Sequence, residues 1–355
     1  MTHIKDREND FSNQDIFVGL DVHKKMWKVS IFFNGYEQKN FTQPARVEAL
    51  LRYLNHHYPG GKYNSVYEAG FSGYWIDYRL KEKGVNNIVV NPADVPTKDK
   101  ERRNKTDRVD AKKLAKSLSS GDLVAIHVPS REETEDRSLV RLREWLIKDQ
   151  TRLKNRIKGS LNFYGEIVPE ADCEKYWSGK YIEWIEGLTM LRPSGKSAMQ
   201  ELLEELKEIR KRIAKITKEI KAMSMEDKYA GNIKLLNTIP GIGILSSMII
   251  LTELIDINRF GNLDRLNCYV GLIPSEHSSG EEEHKGEMIH RGNSSLKRIL
   301  VECAWIAVRK DPRLALEFKK LSMRMKKNRA IIKIARKLLN RIRYVLKNQK
   351  PYVFN

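Results

Sequence analysis

The sequence predicts an α/β domain followed by a largely helical remainder. Three observations carry this: β-branched and aromatic runs alternate with amphipathic stretches up to about residue 128, strand signals stop after Ser130, and a 3-4 apolar repeat runs from Met199 to Met223. Residues 16–20 form an apolar run ending at Asp21, and W-K-V-S-I-F-F (27–33) follows at hairpin distance, so the two pair as strands. Residues 44–57 carry Val47, Leu50, Leu51 and Leu54 at helical period. Residues 64–67 give another strand, ending at Glu68 before the turn A-G-F-S-G (69–73). An amphipathic helix is expected over 74–83, and a buried strand over 87–90 closed by Asn91-Pro92. Residues 98–116 hold 9 Lys+Arg and 4 acids, with a helix over 109–118, and 122–128 reads as an edge strand.

Beyond Ser130, Leu139, Leu142, Leu146, Leu153, Ile157 and Leu161 are spaced by threes and fours apart from a gap near Asp149. Met199, Leu202, Leu206, Ile209, Ile213, Ile216, Ile220 and Met223 follow a 3-4-3-4-3-4-3 spacing, a coiled-coil seam whose partner is the Leu139 helix or another subunit. The expectation is a helical stalk that also dimerises. A third unit, starting near Asn232, contains T-I-P-G-I-G (238–243) between two helical patterns. A Pro-Gly turn in that setting resembles a helix-hairpin-helix, in which Gly241 and Gly243 bring backbone N–H groups against phosphate. The domains expected are 14–130, 131–228 and 229–355.

A chain of 355 residues exceeds one ordinary core, and 41% hydrophobic with 31% charged residues excludes disorder and collagen. The most apolar window, 242–251, is about half a membrane span, and residues 1–15 lack a signal peptide's apolar core. Cys173, Cys268 and Cys303 offer neither a disulfide framework nor zinc spacing. A cytoplasmic, nucleoid-associated protein with no membrane partner is expected. The net charge of +19 is local: residues 284–355 hold 20 Lys+Arg against 4 Asp+Glu. Lys319, Lys320, Arg324, Lys326, Lys327, Arg329, Lys333, Arg336, Lys337, Arg341 and Arg343 recur around an apolar helical stripe of Ile331, Ile334, Leu338, Ile342 and Leu346. One face packs while the other meets nucleic-acid phosphate.

Four acids stand where elements begin or end: Asp21 after I-F-V-G-L, Glu68 after N-S-V-Y, and Asp107 and Asp110 in N-K-T-D-R-V-D-A. A carboxylate at the end of a buried strand must be solvated, paired or metal-bound. Asp107 and Asp110, three apart at a helix start, share one side. Such oxygen donors suit Mg²⁺ or Mn²⁺ and phosphodiester chemistry. Taken singly, Asp107 is also a good N-cap, Asp110 a first-turn acid and Asp21 a turn residue. Together, inside so basic a segment, they read as cations that attract phosphate and anions that hold metal. His23, beside Asp21, is either a ligand or base or an ordinary surface histidine.

The motifs G-L-D-V-H-K (19–24), Y-E-A-G-x-x-G (67–73), N-P (91–92) and N-K-T-D-x-x-D-A (104–111) resemble, in order and spacing, the DEDD transposases of bacterial insertion sequences, the IS110 family of bridge-RNA-guided recombinases. The resemblance continues through L-x-x-I-P-G-I-G (236–243), R-F (259–260), Y-V-G-L-I-P (269–274), S-S-G (278–280) and R-G-N-S-S-L-K-R (291–298), and covers essentially all the chain after Asp15. It implies a RuvC-like, RNase H-type first domain with Asp21, Glu68, Asp107 and Asp110 as a metal-binding tetrad, and a C-terminal transposase domain. It implies that Ser279, preceding Gly280, is a nucleophile forming a phosphoserine link to DNA, although the residues alone leave Ser278 equally eligible. It further implies donor and target DNA as substrates, a structured noncoding bridge RNA as guide, and a homo-oligomer, dimer or tetramer. Lys105, Lys285, Arg291, Lys297 and Arg298 join Gly241 and Gly243 as expected nucleic-acid contacts. Glu281-Glu282-Glu283 depart from that picture by placing negative charge beside the serine.

Two other readings compete. A RuvC-type junction nuclease would cut without a covalent intermediate, and a non-catalytic nucleic-acid scaffold would use the acids only as caps. An actin-like sugar kinase shares strand-end aspartates but needs Gly-rich phosphate loops that are not found.

Overall fold

The computed structural model describes residues 10–96, 107–168, 177–279, 282–288 and 291–353, with side chains described for all of these except 107–108 and 274–288. The chain divides into two compact units, 1–128 and 129–355.

The first unit is built on β1 (Asp15–Val22), β2 (Met26–Phe33), β3 (Tyr36–Pro44), β4 (Lys62–Glu68) and β5 (Asn86–Val90), with helices α1 (Val47–His57), α2 (Trp75–Glu82) and α3 (Asp107–Ser119). The sheet order is β3-β2-β1-β4-β5. β1 pairs antiparallel with β2 and parallel with β4, and β4 pairs parallel with β5. This mixed α/β arrangement is consistent with the RNase H-type first domain that the sequence resemblance implies. Ile16, Val18, Leu20, Trp27, Val29 and Ile31 are fully buried with Leu50 and Leu54 of α1, which explains why these strands read as apolar runs. Two strand assignments change. β3 carries Y-E-Q-K-N-F-T-Q-P, an edge strand too polar to stand out by hydrophobic alternation. The expected strand at 122–128 reduces to an isolated bridge between Val90 and Ala125. Its apolar residues Leu123, Ile126 and Val128 pack against neighbouring cores without building a ladder.

The second unit contains α4 (Arg131–Phe163), α5 (Gly179–Glu186), α6 (Pro193–Met223), α7 (Asp227–Leu236), α8 (Ile244–Leu254), α9 (Leu263–Val270), β6 (Pro274–Ser279), β7 (Glu282–Met288), α10 (Ser294–Lys310), α11 (Pro312–Arg324) and α12 (Lys327–Asn348). A capping box starts α4: the Ser130 hydroxyl accepts from the Glu133 N–H at 3.1 Å, and the Ser130 N–H donates to Glu133 Oε2 at 2.7 Å. α4 and α6 run antiparallel. Arg143 Nε donates to Thr217 Oγ1 at 2.8 Å, and further along Leu153, Ile157 and Leu161 share a cluster with Met199, Leu203, Leu206 and Ile209. The heptad seam is therefore filled largely from within the chain. α8, α10 and α12 form the larger core, where Met248, Ile250, Leu300, Ile334 and Leu338 are fully buried. Among the described residues, no helix is long and apolar enough to cross a membrane.

Candidate active site and serine hairpin

The β1–β4 register places Gly19 opposite Val66 and Leu20 opposite Tyr67, so Asp21 and Glu68 occupy the next step on neighbouring parallel strands. Side chains alternate along a strand, which puts Gly19, Asp21, Val66 and Glu68 on one face. α3 lies on that face. A Cβ at Gly19 would stand 2.1 Å from the Ala111 carbonyl oxygen and 2.5 Å from the Ala115 nitrogen, and Val66 is buried in one cluster with Leu114. Only glycine permits this approach, and it delivers Asp110, the residue before Ala111, to the strand ends. Asp21, Glu68 and Asp110 line one cavity of about 130 Å³ together with Leu20, Ala69 and Leu114. All three carboxylates are half-buried, and His23 Nε2 lies 3.1 Å from Asp21 Oδ2. Gly19→Ala is expected to destabilise the fold by about 1–3 kcal/mol or more, because backbone rather than a flexible side chain must yield, and to reduce DNA cleavage with it. Thermal melts and a strand-cleavage assay check this.

The donor set fits a hard divalent ion. It consists of carboxylate oxygens, and at roughly 30 Å³ per water the cavity has room for an ion with part of its hydration shell. Among the described residues, no three Asp, Glu, His or Cys side chains already stand at metal-ligating spacing. The fourth acid, Asp107, opens α3 three residues before Asp110, and its side chain lies outside the described residues.

Ser278 and Ser279 end β6 and pair with Glu283 and Glu282 of β7. This segment is a two-stranded ribbon, and Gly280 and Glu281 lie outside the described residues. Its sequence hides the strands because it lacks β-branched residues. The ribbon's two feet are pinned together. Gly271 (φ +80°) and Gly292 (φ +125°) stand so close that a Cβ on Gly271 would meet the Arg291 carbonyl oxygen at 2.5 Å and one on Gly292 the Gly271 Cα at 2.6 Å. Beside them the Asn293 N–H donates to the Tyr269 carbonyl at 2.8 Å.

The expected nucleic-acid contacts are dispersed. Gly241 (φ +93°) faces α10, where a Cβ would meet the Cys303 carbonyl oxygen at 2.6 Å, so packing accounts for this glycine. Gly243 is exposed at the start of α8, with its N–H donated to Ser246 Oγ at 2.8 Å. Arg291 is exposed at a foot of the ribbon, Lys285 lies on β7, and Lys297 is half-buried on α10. Lys105 lies outside the described residues. Arg298 is already paired: its guanidinium bonds buried Glu144 and, at 2.9 Å, Glu302. In the basic tail, Arg341 pairs with buried Asp311, and Lys337 with Glu317 at 3.0 Å. Lys319, Lys320, Arg324, Lys326, Lys327 and Arg329 are all exposed.

Sequence reasoning missed Glu253, although a lone acid in the apolar helix I-L-S-S-M-I-I-L-T-E-L was a readable signal of a buried pair. Its side chain is 1% exposed, and Arg141 grips it with Nε–Oε1 at 2.6 Å and Nη2–Oε2 at 2.8 Å. Asn293 Nδ2 donates to Oε2 at 2.6 Å, and the Tyr269 hydroxyl donates to the Glu253 carbonyl at 3.0 Å. Burial pushes the Glu253 carboxyl up, but the hydrogen bonds and charge of Arg141, with Asn293 and Arg137, outweigh it and hold the group below its ordinary 4.5. A lowered folded-state value means that stability is present above the unfolded value and is lost as pH falls through the folded one. Melting temperatures of the wild type and Glu253→Gln are therefore expected to converge as pH drops below 4.5.

A family model described as Transposase IS116/IS110/IS902 family matches residues 233–319, and a DEDD model described as Transposase matches residues 18–166. The Sinorhizobium fredii protein y4qE, which also carries a transposase name, is 28% identical over 310 residues, 85% of this chain and 74% of its own. The transposase for insertion sequence element IS1111A of Coxiella burnetii is 27% identical over 288 residues, covering 80% of this chain and 77% of its own. The pilin gene-inverting protein of Moraxella lacunata is 25% identical over 353 residues, 95% of this chain and 97% of its own.

Proposed function

Since this chain belongs to the DEDD transposases of the IS110 family and is a DNA transposase enzyme, we propose that it cuts and exchanges DNA strands through a covalent phosphoserine intermediate, guided by a structured RNA. The observation that carries this reading is the convergence of Asp21, Glu68 and Asp110 on one cavity at the carboxyl ends of β1 and β4. The DEDD family implies divalent-metal dependence. Asp21, Glu68, Asp110 and Asp107 would hold the ions, Mg²⁺ or Mn²⁺, which supply positive charge to phosphodiester oxygens. Ser279 Oγ forms a bond to phosphorus as its proton leaves, and the bond from phosphorus to the 3′ oxygen breaks, releasing a 3′-hydroxyl. The phosphodiester energy is kept in the phosphoserine link, so that hydroxyl or another can reverse the step without ATP. The name of the Moraxella relative, a pilin gene-inverting protein, agrees with strand exchange rather than simple cutting.

Base pairing by a guide RNA would leave the protein to recognise shape and phosphate, which needs cationic surface rather than base-reading side chains. The exposed cations from Lys319 to Arg329 suit that task, with Arg291, Lys285, Lys297, Lys105 and the 238–243 turn as further phosphate contacts. Assembly in more than one copy belongs to the same reading. The α6 seam is largely occupied, whereas Phe163, Ile167 and Leu191 are exposed apolar residues at one end of the α4–α6 pair.

Two experiments test the proposal. Strand cleavage of DNA carrying the element's own ends should vanish on chelation and return with Mg²⁺ or Mn²⁺; cleavage indifferent to chelation removes the metal reading. Reversing Lys319, Lys320 and Arg324 to Glu should weaken RNA and DNA binding and lower the salt-dependence slope by about 1 for each phosphate that is no longer neutralised. Unchanged affinity and slope would place the phosphate surface elsewhere.

A further inference from the structure

We propose that Glu253 is a positioning residue for the serine ribbon, tying both of the ribbon's feet to the helical core; the proposal rests on the reading of Ser279 as the nucleophile. The incoming foot is Tyr269 to Gly271, and the Tyr269 hydroxyl donates to the Glu253 carbonyl at 3.0 Å. The outgoing foot is Gly292-Asn293, and Asn293 Nδ2 donates to the Glu253 carboxylate at 2.6 Å. The two feet also bond each other, from the Asn293 N–H to the Tyr269 carbonyl at 2.8 Å, and the Gly271–Gly292 contact leaves no space for a side chain between them. Glu253 is itself fixed from behind. Arg141 of α4 holds it in a fork-to-fork pair, Arg137 Nε lies 4.0 Å from Oε2, and Arg137 also donates to the Thr252 carbonyl at 2.8 Å.

A generic core salt bridge has no need to touch both ends of one hairpin, and this one does. The geometry gives the tie a mechanical meaning. β6 has six residues, and at about 3.3 Å each its end lies roughly 20 Å from the base. A swing of about 5° at the feet would therefore move the Ser279 backbone by roughly 2 Å, and a misplacement near 1 Å at a reacting group already lowers rates on the order of 100-fold. Glu144 sets a contrast: it is also buried, but it takes Ser295 Oγ at 2.6 Å and Arg298, both beyond the foot and inside α10.

The test compares full-length wild type, Glu253→Gln, Asn293→Ser and Glu144→Gln by backbone hydrogen exchange, DNA affinity and single-turnover strand cleavage. Asn293→Ser leaves the Arg141–Glu253 pair in place and keeps a hydroxyl to cap α10, so it reads the tie even if Glu253→Gln fails to fold. In the Glu253 and Asn293 variants, amides of 276–279 and 282–285 should exchange about tenfold faster or more while α8 and α10 keep their protection. Cleavage should fall about 10–100-fold with DNA affinity nearly unchanged, and Glu144→Gln should leave ribbon exchange as in the wild type. Unchanged ribbon exchange in Asn293→Ser, or equal loosening of ribbon, α8 and α10, overturns the proposal. Faster ribbon exchange with undiminished cleavage supports the tie and removes the serine reading instead, so the two failures are distinguishable.

Discussion

Asp21→Asn is expected to lower DNA strand cleavage on the order of 1,000-fold while leaving the protein folded. The substitution keeps the shape of the side chain at the end of β1 and removes its charge. Asp21 shares its cavity with Glu68 and Asp110, so like charges converge there, and neutralising one relieves repulsion in the metal-free protein. The melting temperature should thus hold or rise as activity disappears, the pattern of a site maintained against stability. Glu68→Gln and Asp110→Asn should behave alike, because all three side chains face the same space. Cleavage within about threefold of wild type in these variants, read in single-turnover assays, would reduce the acids to turn and cap residues.

Ser279→Ala should abolish the covalent protein–DNA adduct and lower strand exchange by about 10,000-fold, with nucleic-acid affinity retained. Removing one oxygen atom takes away the bond-forming group and little else. Ser278→Ala is the control, since the two serines occupy successive positions at the end of β6, paired to Glu283 and Glu282. Adduct captured under denaturing conditions should persist in Ser278→Ala. Adduct absent in Ser278→Ala and kept in Ser279→Ala would move the nucleophile by one residue, and full cleavage with free ends in both would favour a junction nuclease.

Much of the first unit was legible because its central strands are buried on both faces. Ile16 to Leu20 and Trp27 to Phe33 must be nearly continuous in apolar content, and an acid at the end of such a run is conspicuous. β3 was not legible because an edge strand with one wet face needs no such pattern, and polar residues there protect it from pairing with other chains. The serine ribbon escaped notice for a related reason: its strands hold each other by backbone bonds, which composition does not advertise. The heptad in α6 was plain, but periodicity states that a stripe is covered, not by whom, and α4 of the same chain covers most of it. Arg298 illustrates the same limit for charge. Its place in a basic motif suggested phosphate, whereas its main partner, Glu144, lies 154 residues away in sequence.

β1 is hydrogen-bonded to β2 on one side and to β4 on the other, whereas among the described residues the two strands of the serine ribbon pair only with each other. A two-stranded ribbon can be peeled apart strand by strand, whereas β1, which carries Asp21 near its end, is the middle strand of a five-stranded sheet. On the proposed reading of Ser279 as nucleophile, warming should accordingly silence the enzyme in two separate stages, first by a reversible loss of order in the arm that carries the serine, and only later by collapse of the sheet that holds the acids.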